Sequence, residues 1–296
     1  MELNETRAVA PQVQWIAQTE STNALMREIV ARDSGQLAHG TVIATTNQTA
    51  GRGRLDRDWV TPPDVALAAS VLVRPNISAS GLGLSWLPLL VGSALVAALQ
   101  PLFRGSAGSA GSEGSESSDG SEVGEAKRVG VKWPNDVHVR DEGDAMQGRP
   151  GQKLCGILCE VLPSGDVVVG FGVNLLQDEW QLPTERAGSV LASGGDVAGA
   201  VTLADPNGQA LVDRVLATAV AELLRLVQLA ADDPDAARVR VKRDSVTLGA
   251  EVRVHMPNGP IADGRAVDLD RDGALIVDRP TGGQLVVNAA DIEHLR

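Results

Sequence analysis

The stretch Val129-Gly130-Val131-Lys132-Trp133-Pro134-Asn135-Asp136-Val137-His138-Val139 holds two short apolar runs that break at Pro134-Asn135. A second pair, Leu154–Leu162 and Val167–Val173, follows, with Pro163, Ser164 and Gly165 between its members. Brief runs rich in β-branched residues, separated by turn formers, read as strands joined by tight connections. These four segments predict a mostly antiparallel sheet with helices covering one face.

Upstream, Thr41–Thr45 and Val65–Val73 add two more strands. Thr22–Asp33 reads as a helix, with Leu25, Met26, Ile29 and Val30 on one side and Ser21 or Thr22 as its N-cap. Pro75–Phe103 carries no charge, but its densest apolar part, Trp86–Leu99, is short for a membrane span and is interrupted by Pro88, Gly92 and Ser93. A buried helix is therefore expected there. Downstream, Leu211, Val212, Val215, Leu216, Ala219, Val220, Leu223 and Leu226 keep helical spacing over Gln209–Val227. After Asp244 the pattern changes to short alternating segments, Val246–Val254, Ile261–Leu269, Ala274–Val277 and Leu285–Val287, which predict a small β-barrel. The expected organisation is a main unit over 1–243 and a small one over 244–296. Residues 105–126, rich in Gly, Ser and acidic side chains, cannot bury apolar surface and read as a mobile insertion within the first unit, a linker between units being the alternative.

A net charge of -12 disfavours generic nucleic-acid binding, since neutralising phosphates needs clustered Lys and Arg. Any basic cluster in this background is then informative. With five Trp, two Phe and no Tyr, the core must be filled mainly by Ala, Val and Leu. Cys155 and Cys159 form neither a disulfide framework nor a Cys-x-x-Cys pair, and their spacing puts them on one strand face as small core residues. Residues 1–14 are mixed and polar, without a secretory pattern, so the expected location is the cytoplasm, with no membrane association.

The densest unusual feature is Gln48-Thr49-Ala50-Gly51-Arg52-Gly53-Arg54-Leu55-Asp56-Arg57-Asp58-Trp59. Glycines let backbone N–H groups approach a phosphate, and arginines present forked donors to its oxygens. The segment reads as an anion-binding loop, or else as a solvated loop whose arginines pair with Asp56 and Asp58. It fits neither a P-loop nor a dinucleotide fingerprint. Lys153 stands at the entrance of an otherwise apolar strand, either as a solvated edge or as a cation aimed at a ligand. Gly170 and Gly172 within a strand suggest close approach of a ligand or another backbone.

Together these strings resemble the biotin protein ligase family, in the family's order, over roughly residues 15–180. The carriers are Ser21-Thr22-Asn23, Gln48 with Gly51-Arg52-Gly53-Arg54, Lys132-Trp133-Pro134-Asn135-Asp136, Lys153-Leu154-Cys155-Gly156-Ile157-Leu158 and Gly172-Val173-Asn174. The resemblance implies an α+β catalytic fold related to class II aminoacyl-tRNA synthetases and lipoate ligases, with a C-terminal SH3-like barrel. It also implies formation of biotinyl-5′-AMP from biotin and Mg·ATP, then transfer of biotin to a lysine of the biotin carboxyl carrier domain of an acyl-CoA carboxylase.

In the roles so implied, Ser21, Thr22, Asn23 and Gln48 face the ureido ring, with Gly51, Arg52, Gly53, Arg54, Lys153 and Gly156 completing the biotin site. Arg52, Arg54, Arg57, Trp59, Lys132, Trp133, Asn135 and Asn174 meet ATP or the adenylate. Arg54, Lys153 and Asp136 carry the chemistry, Asp136 either orienting the acceptor lysine or holding Mg²⁺. Only about twenty residues precede Ser21, so the DNA-binding winged helix of bifunctional family members, and with it repressor activity, is expected to be absent; the expected state is a monomer or weak homodimer. The closest rival is a lipoate or octanoate ligase or transferase. Against it stand the polar Ser21-Thr22-Asn23 and Gln48 set and an arginine loop where that family has a glycine triplet. A non-catalytic effector-binding protein or scaffold is the rival from another class, and such a binder has no need of a phosphate clamp.

Overall fold

A computed structural model describes residues 1–33, 37–54, 57–59, 61–75, 82–103, 127–256, 259–288 and 290–295. The acidic stretch 105–126, and the expectation attached to it, lie outside these residues. In chain order the elements are α1 (Asn4–Val9), β1 (Val13–Trp15), α2 (Thr22–Arg32), β2 (Val42–Thr45), β3 (Gly51–Arg52), β4 (Asp58–Trp59), β5 (Ala66–Val73), α3 (Leu87–Leu99), β6 (Arg128–Lys132) and β7 (Asp136–Arg140). They continue with α4 (Glu142–Met146), β8 (Gln152–Val161), β9 (Val167–Asn174), α5 (Pro206–Asp232), α6 (Pro234–Asp244), β10 (Glu251–His255), β11 (Ile261–Leu269), β12 (Leu275–Asp278), β13 (Gln284–Val287) and β14 (Asp291–His294).

A seven-stranded sheet runs in the order β1-β2-β5-β9-β8-β7-β6. β1 pairs with β2 in parallel and every other pair is antiparallel, with short Pro-, Asn- or Gly-containing turns joining β6 to β7 and β8 to β9. Strand alternation gives the sheet two different faces. Leu67, Ala69, Val71 and Val73 of β5, with Val167, Val169, Phe171 and Val173 of β9, join the main core, where α1, α3, α5 and α6 pack. The opposite face carries Ile43, Leu72 and Val168, which meet Met26 and Ile29 of α2. Helices thus lie on both faces, which corrects the one-sided expectation. Helical periodicity identified the apolar stripe of α2 but not which face of the sheet it would cover. Since α2 covers only part of that face, the rest is open for a cavity.

The apolar segment is helical over Leu84–Phe103, long and apolar enough to cross a membrane, but most of it is buried inside the fold. Pro88 does not break α3, because it sits in the first turn, where a backbone donor has no helical partner. Gly92 lets α3 lie close on β6: a Cβ there would come within 2.9 Å of Val131 Cγ2.

The C-terminal unit is an antiparallel sheet in the order β13-β12-β11-β10-β14, and among the described residues β13 and β14 are its unpaired edges. Two indoles bind it to the catalytic unit. Trp86 Nε1 donates to Arg271 O at 2.8 Å and Trp133 Nε1 to Gly273 O at 3.0 Å, both on the turn between β11 and β12. Trp133 N also donates to Thr247 Oγ1 at 3.0 Å.

His294 of β14 is partly buried. Burial, reinforced by Lys132, His138 and Arg140, lowers its pKa from 6.5 to about 3. Between these values the unfolded chain holds the proton and the folded chain does not, so stability is full above pH 6.5 and falls as the pH drops toward about 3. His294→Gln is expected to flatten the fall in melting temperature across that window. Identical slopes for variant and wild type would remove His294 from the acid response.

Candidate active site

A cavity of about 560 Å³ opens on the sheet face that α2 leaves uncovered. Its floor includes Gly156, Gly170 and Gly172. A Cβ at Gly172 would lie 2.4 Å from Trp59 Cε2, one at Gly156 3.0 Å from Trp59 Cζ3, and one at Gly170 2.1 Å from Asn23 Oδ1. The strand glycines thus make room for the side chains of Trp59 and Asn23, and they also line the cavity.

One end is built on the N-terminus of α2. Ser21 caps the helix, its Oγ accepting from Ala24 N at 3.3 Å, which leaves its own hydroxyl proton available. Gln48 Oε1 accepts from Thr22 N at 2.9 Å and Thr22 Oγ1 at 3.2 Å. The Gln48 amide is thereby turned so that its Nε2 donors remain for a ligand acceptor. Asn23 is differently placed: its Oδ1 accepts from Ser70 Oγ at 2.6 Å, and its Nδ2 donates to Glu160 Oε2 at 2.6 Å and to Leu158 O at 3.3 Å. It forms wall rather than offering free donors.

The other end gathers cations from separate stretches. β3 and β4 pair as a hairpin, and Arg52, Gly53, Arg54 and Arg57 of this region line the cavity together with Lys132 and Lys153. Arg54 Nη1 donates to Asn135 Oδ1 at 3.2 Å, and Asn135 is itself held by its Nδ2 donating to Ile157 O at 2.8 Å. Lys153 reaches the site through a register shift. β7 pairs Val137 with Cys155 but His138 with Lys153, passing over Leu154. Unbroken alternation would have put Lys153 on the core face beside Cys155; the bulge returns it to the face of Gly156. Its Nζ lies 2.7 Å from Asp136 Oδ1 and 5.7 Å from the centroid of the Trp59 ring.

Burial alone would raise the Asp136 carboxyl, but the His138 ring 4.0 Å away and the Lys153 ammonium outweigh it and hold the group well below the usual carboxylate range. Burial lowers the Lys132 ammonium from its ordinary value, with Asp136 opposing; Lys132 Nζ donates to Ile292 O at 2.8 Å. Burial pushes the Cys159 thiol up to about 12 and raises Cys155 further, so neither is a ready nucleophile.

The structure does not bring Gly51, Trp133 or Asn174 to the cavity wall. Gly51 is packed under its neighbours: a Cβ there would lie 2.2 Å from Gln48 Nε2 and 2.4 Å from Trp59 O. The Trp133 indole is buried, with its Nε1 donating to Gly273 O of the C-terminal unit. Asn174 spends its amide on Gly188 O at 2.8 Å and its carbonyl on Gln177 Nε2 at 2.8 Å. Conversely, Arg186, His255, Asp291 and Glu293 line the cavity without having been read from the sequence. Arg186 lies outside every recognised string, and the alternation of Asp291-Ile292-Glu293 marks a strand without saying where its polar side points.

For magnesium the residues present are a poor fit. Among the described residues, no group of three or more His, Cys, Asp or Glu could hold a metal ion, and Lys153 already occupies Asp136.

A sheet with a donor-lined pocket at one end and a cluster of cations at the other can hold a polar small molecule beside an anion such as a phosphate. The model of the biotin/lipoate A/B protein ligase family matches residues 15–175, and the chain belongs to that family. The model of the biotin protein ligase C-terminal domain matches residues 247–295. The chain is 33% identical over 292 residues to the biotin–[acetyl-CoA-carboxylase] ligase of Mycobacterium tuberculosis, covering 96% of this chain and 90% of that protein. It is 26% identical over 263 residues to the bifunctional ligase/repressor BirA of Bacillus spizizenii, covering 86% of this chain and 66% of that protein. The biotin protein ligase of Aquifex aeolicus in complex with biotin and ATP shares the fold, with a TM-score of 0.64 at 22% identity over 96% of this chain and 99% of that one.

Proposed function

We propose that this chain forms biotinyl-5′-AMP from biotin and ATP and passes the biotin to a lysine of the biotin carboxyl carrier domain of an acyl-CoA carboxylase. The observation that carries this reading is the convergence of Arg52, Arg54 and Lys153, from distant stretches, on one cavity whose far end offers Ser21 and Gln48 as donors. Those donors suit the ureido carbonyl of biotin, and a ligand without it would leave them unpaired, a strong basis for rejection.

In the first half-reaction a biotin carboxylate oxygen bonds to the α-phosphorus of ATP as the bond to pyrophosphate breaks. The two reactants are both anions. Arg52, Arg54 and Lys153 offset their repulsion and the charge that builds on the phosphate oxygens. Arg57, Trp59, Lys132 and Asn135 are assigned to the nucleotide side of the cavity, and magnesium to the ATP phosphates, as is common for an ion that keeps few protein ligands. In the second half-reaction the lysine amine, its ammonium proton given up to solvent, bonds to the biotinyl carbonyl carbon; the bond from that carbon to the phosphate oxygen breaks, AMP leaves, and the remaining excess proton on nitrogen passes to solvent. Asp136 is assigned to orienting that lysine, once Lys153 turns from it toward the ligand.

A monomer or a weak homodimer is the state proposed for this chemistry. The reaction is placed in the cytoplasm, where ATP is supplied. The test is pyrophosphate release by the purified protein. Release that requires both biotin and ATP, followed by labelling of a carrier domain, is the expected result. Release with lipoate but not biotin would overturn the reading.

A further inference from the structure

β14 lays successive residues across the mouth of the cavity, and each meets a cation of the catalytic unit. Asp291 pairs with Arg57, Ile292 O takes the Lys132 ammonium at 2.8 Å, and Glu293 Oε1 accepts from Arg186 Nη2 at 3.2 Å. Glu293 Oε2 also lies 3.3 Å from His255 Nε2. These pairs are at the surface: the side chains of Arg57 and Arg186 are 66% and 81% exposed, those of Asp291 and Glu293 51% and 38%. Ion pairs so exposed add little to stability, so holding the fold together does not account for them.

The reaction proposed above supplies a different reason, and the inference rests on that reading. Arg52, Arg54, Lys132 and Lys153 outnumber Asp58 and Asp136, the lining carboxylates other than those of β14, and Asp136 is matched by Lys153. Such a field draws in a phosphate but repels the second substrate, whose amine arrives as an ammonium. The approach of that ammonium needs negative charge near the entrance, and β14 places two carboxylates there.

We propose that Asp291 and Glu293 are entry carboxylates for the acceptor lysine, masked by Arg57 and Arg186 until nucleotide phosphate draws the guanidiniums inward. Arginine pairs as readily with phosphate as with carboxylate, and long exposed side chains change rotamer in picoseconds to nanoseconds. The exchange uncovers the carboxylates only when nucleotide is bound. The C-terminal unit thereby favours the order in which adenylation precedes lysine entry.

The test separates charge from reactivity. Enzyme loaded with biotinyl-adenylate is discharged in a single turnover with Nα-acetyl-lysine methylamide, a cation at neutral pH, or with hydroxylamine, which is neutral there. In Glu293→Gln the lysine-amine rate is expected to fall about fivefold relative to the hydroxylamine rate, the factor set by one charge pair at about 4 Å in water. Asp291→Asn combined with Glu293→Gln should lower that ratio further and remove most of the salt dependence of the lysine-amine rate. Glu293→Asp should restore most of the ratio, and Arg186→Ala should leave it near wild type, because in loaded enzyme the guanidinium has already turned to the phosphate. Equal losses with the two amines, no loss, or a ratio changed severalfold in Arg186→Ala would overturn the proposal. Failure of the wild-type protein to form the adenylate would instead overturn the proposed function, a separate outcome because the ratios are measured on loaded enzyme.

Discussion

Lys153→Ala is expected to slow biotin- and ATP-dependent pyrophosphate release by about 10²–10³-fold, the usual cost of losing one preorganised donor to developing charge. The same change is expected to shift the melting temperature little. The Lys153 side chain is 33% exposed and its pair with Asp136 is partly screened, so the stability at stake is about 1 kcal/mol or less. Removing the ammonium also frees Asp136 toward a higher pKa, because Lys153 is one of the two groups holding it down. Lys153→Arg keeps the charge and should recover part of the rate. Arg54→Ala is expected to behave like Lys153→Ala, since Arg54 reaches the same cavity and is held by Asn135. Rates close to wild type in both alanine variants would take these residues out of the chemistry.

Trp133→Ala acts on the other side of the balance between stability and catalysis. The indole is 3% exposed, and truncating a buried aromatic of this size costs about 3–5 kcal/mol. The loss should appear as a large fall in melting temperature, with the C-terminal unit released first, because the hydrogen bond to Gly273 O goes as well. A variant damaged this far would be hard to assay, so Trp133→Phe is the sharper test. It keeps most of the packing, gives up about 1 kcal/mol with the lost N–H bond, and should leave the KM for ATP near that of wild type. A tryptophan stacked on adenine would behave the opposite way, raising that KM with little effect on melting. Such a result would move Trp133 back to the ligand.

The contrast between Lys153 and Trp133 shows how far the sequence could be read. Both belong to strings recognised on sight, yet one faces the cavity and the other lies buried against the C-terminal unit. A motif identifies residues that travel together without saying which side of the strand each occupies. Lys153 is the clearest instance. Strict alternation from Cys155 would have buried it, and the bulge that passes over Leu154 is visible only in the pairing of β7 with β8. Asn23 and Asn174 make the same point through hydrogen bonding. Their amides look free in the sequence but are taken up by Ser70, Glu160 and Leu158 O in one case and by Gly188 O and Gln177 in the other.

Taken alone, the amino-acid sequence determined the local elements: a cap at Ser21 or Thr22 for α2, the strands cut by Pro, Gly and Asn, the long α5 and the change of period after Asp244. These follow from short-range rules, since turn chemistry, capping and apolar period act between residues a few positions apart. Tertiary structure alone decided the sheet face on which α2 lies, the side to which Lys153 points, and the arrival of β14 at the cavity mouth. Each of those depends on contacts between residues more than a hundred positions apart or on the register between strands, and packing free energy over the whole molecule selects them where local periodicity is silent.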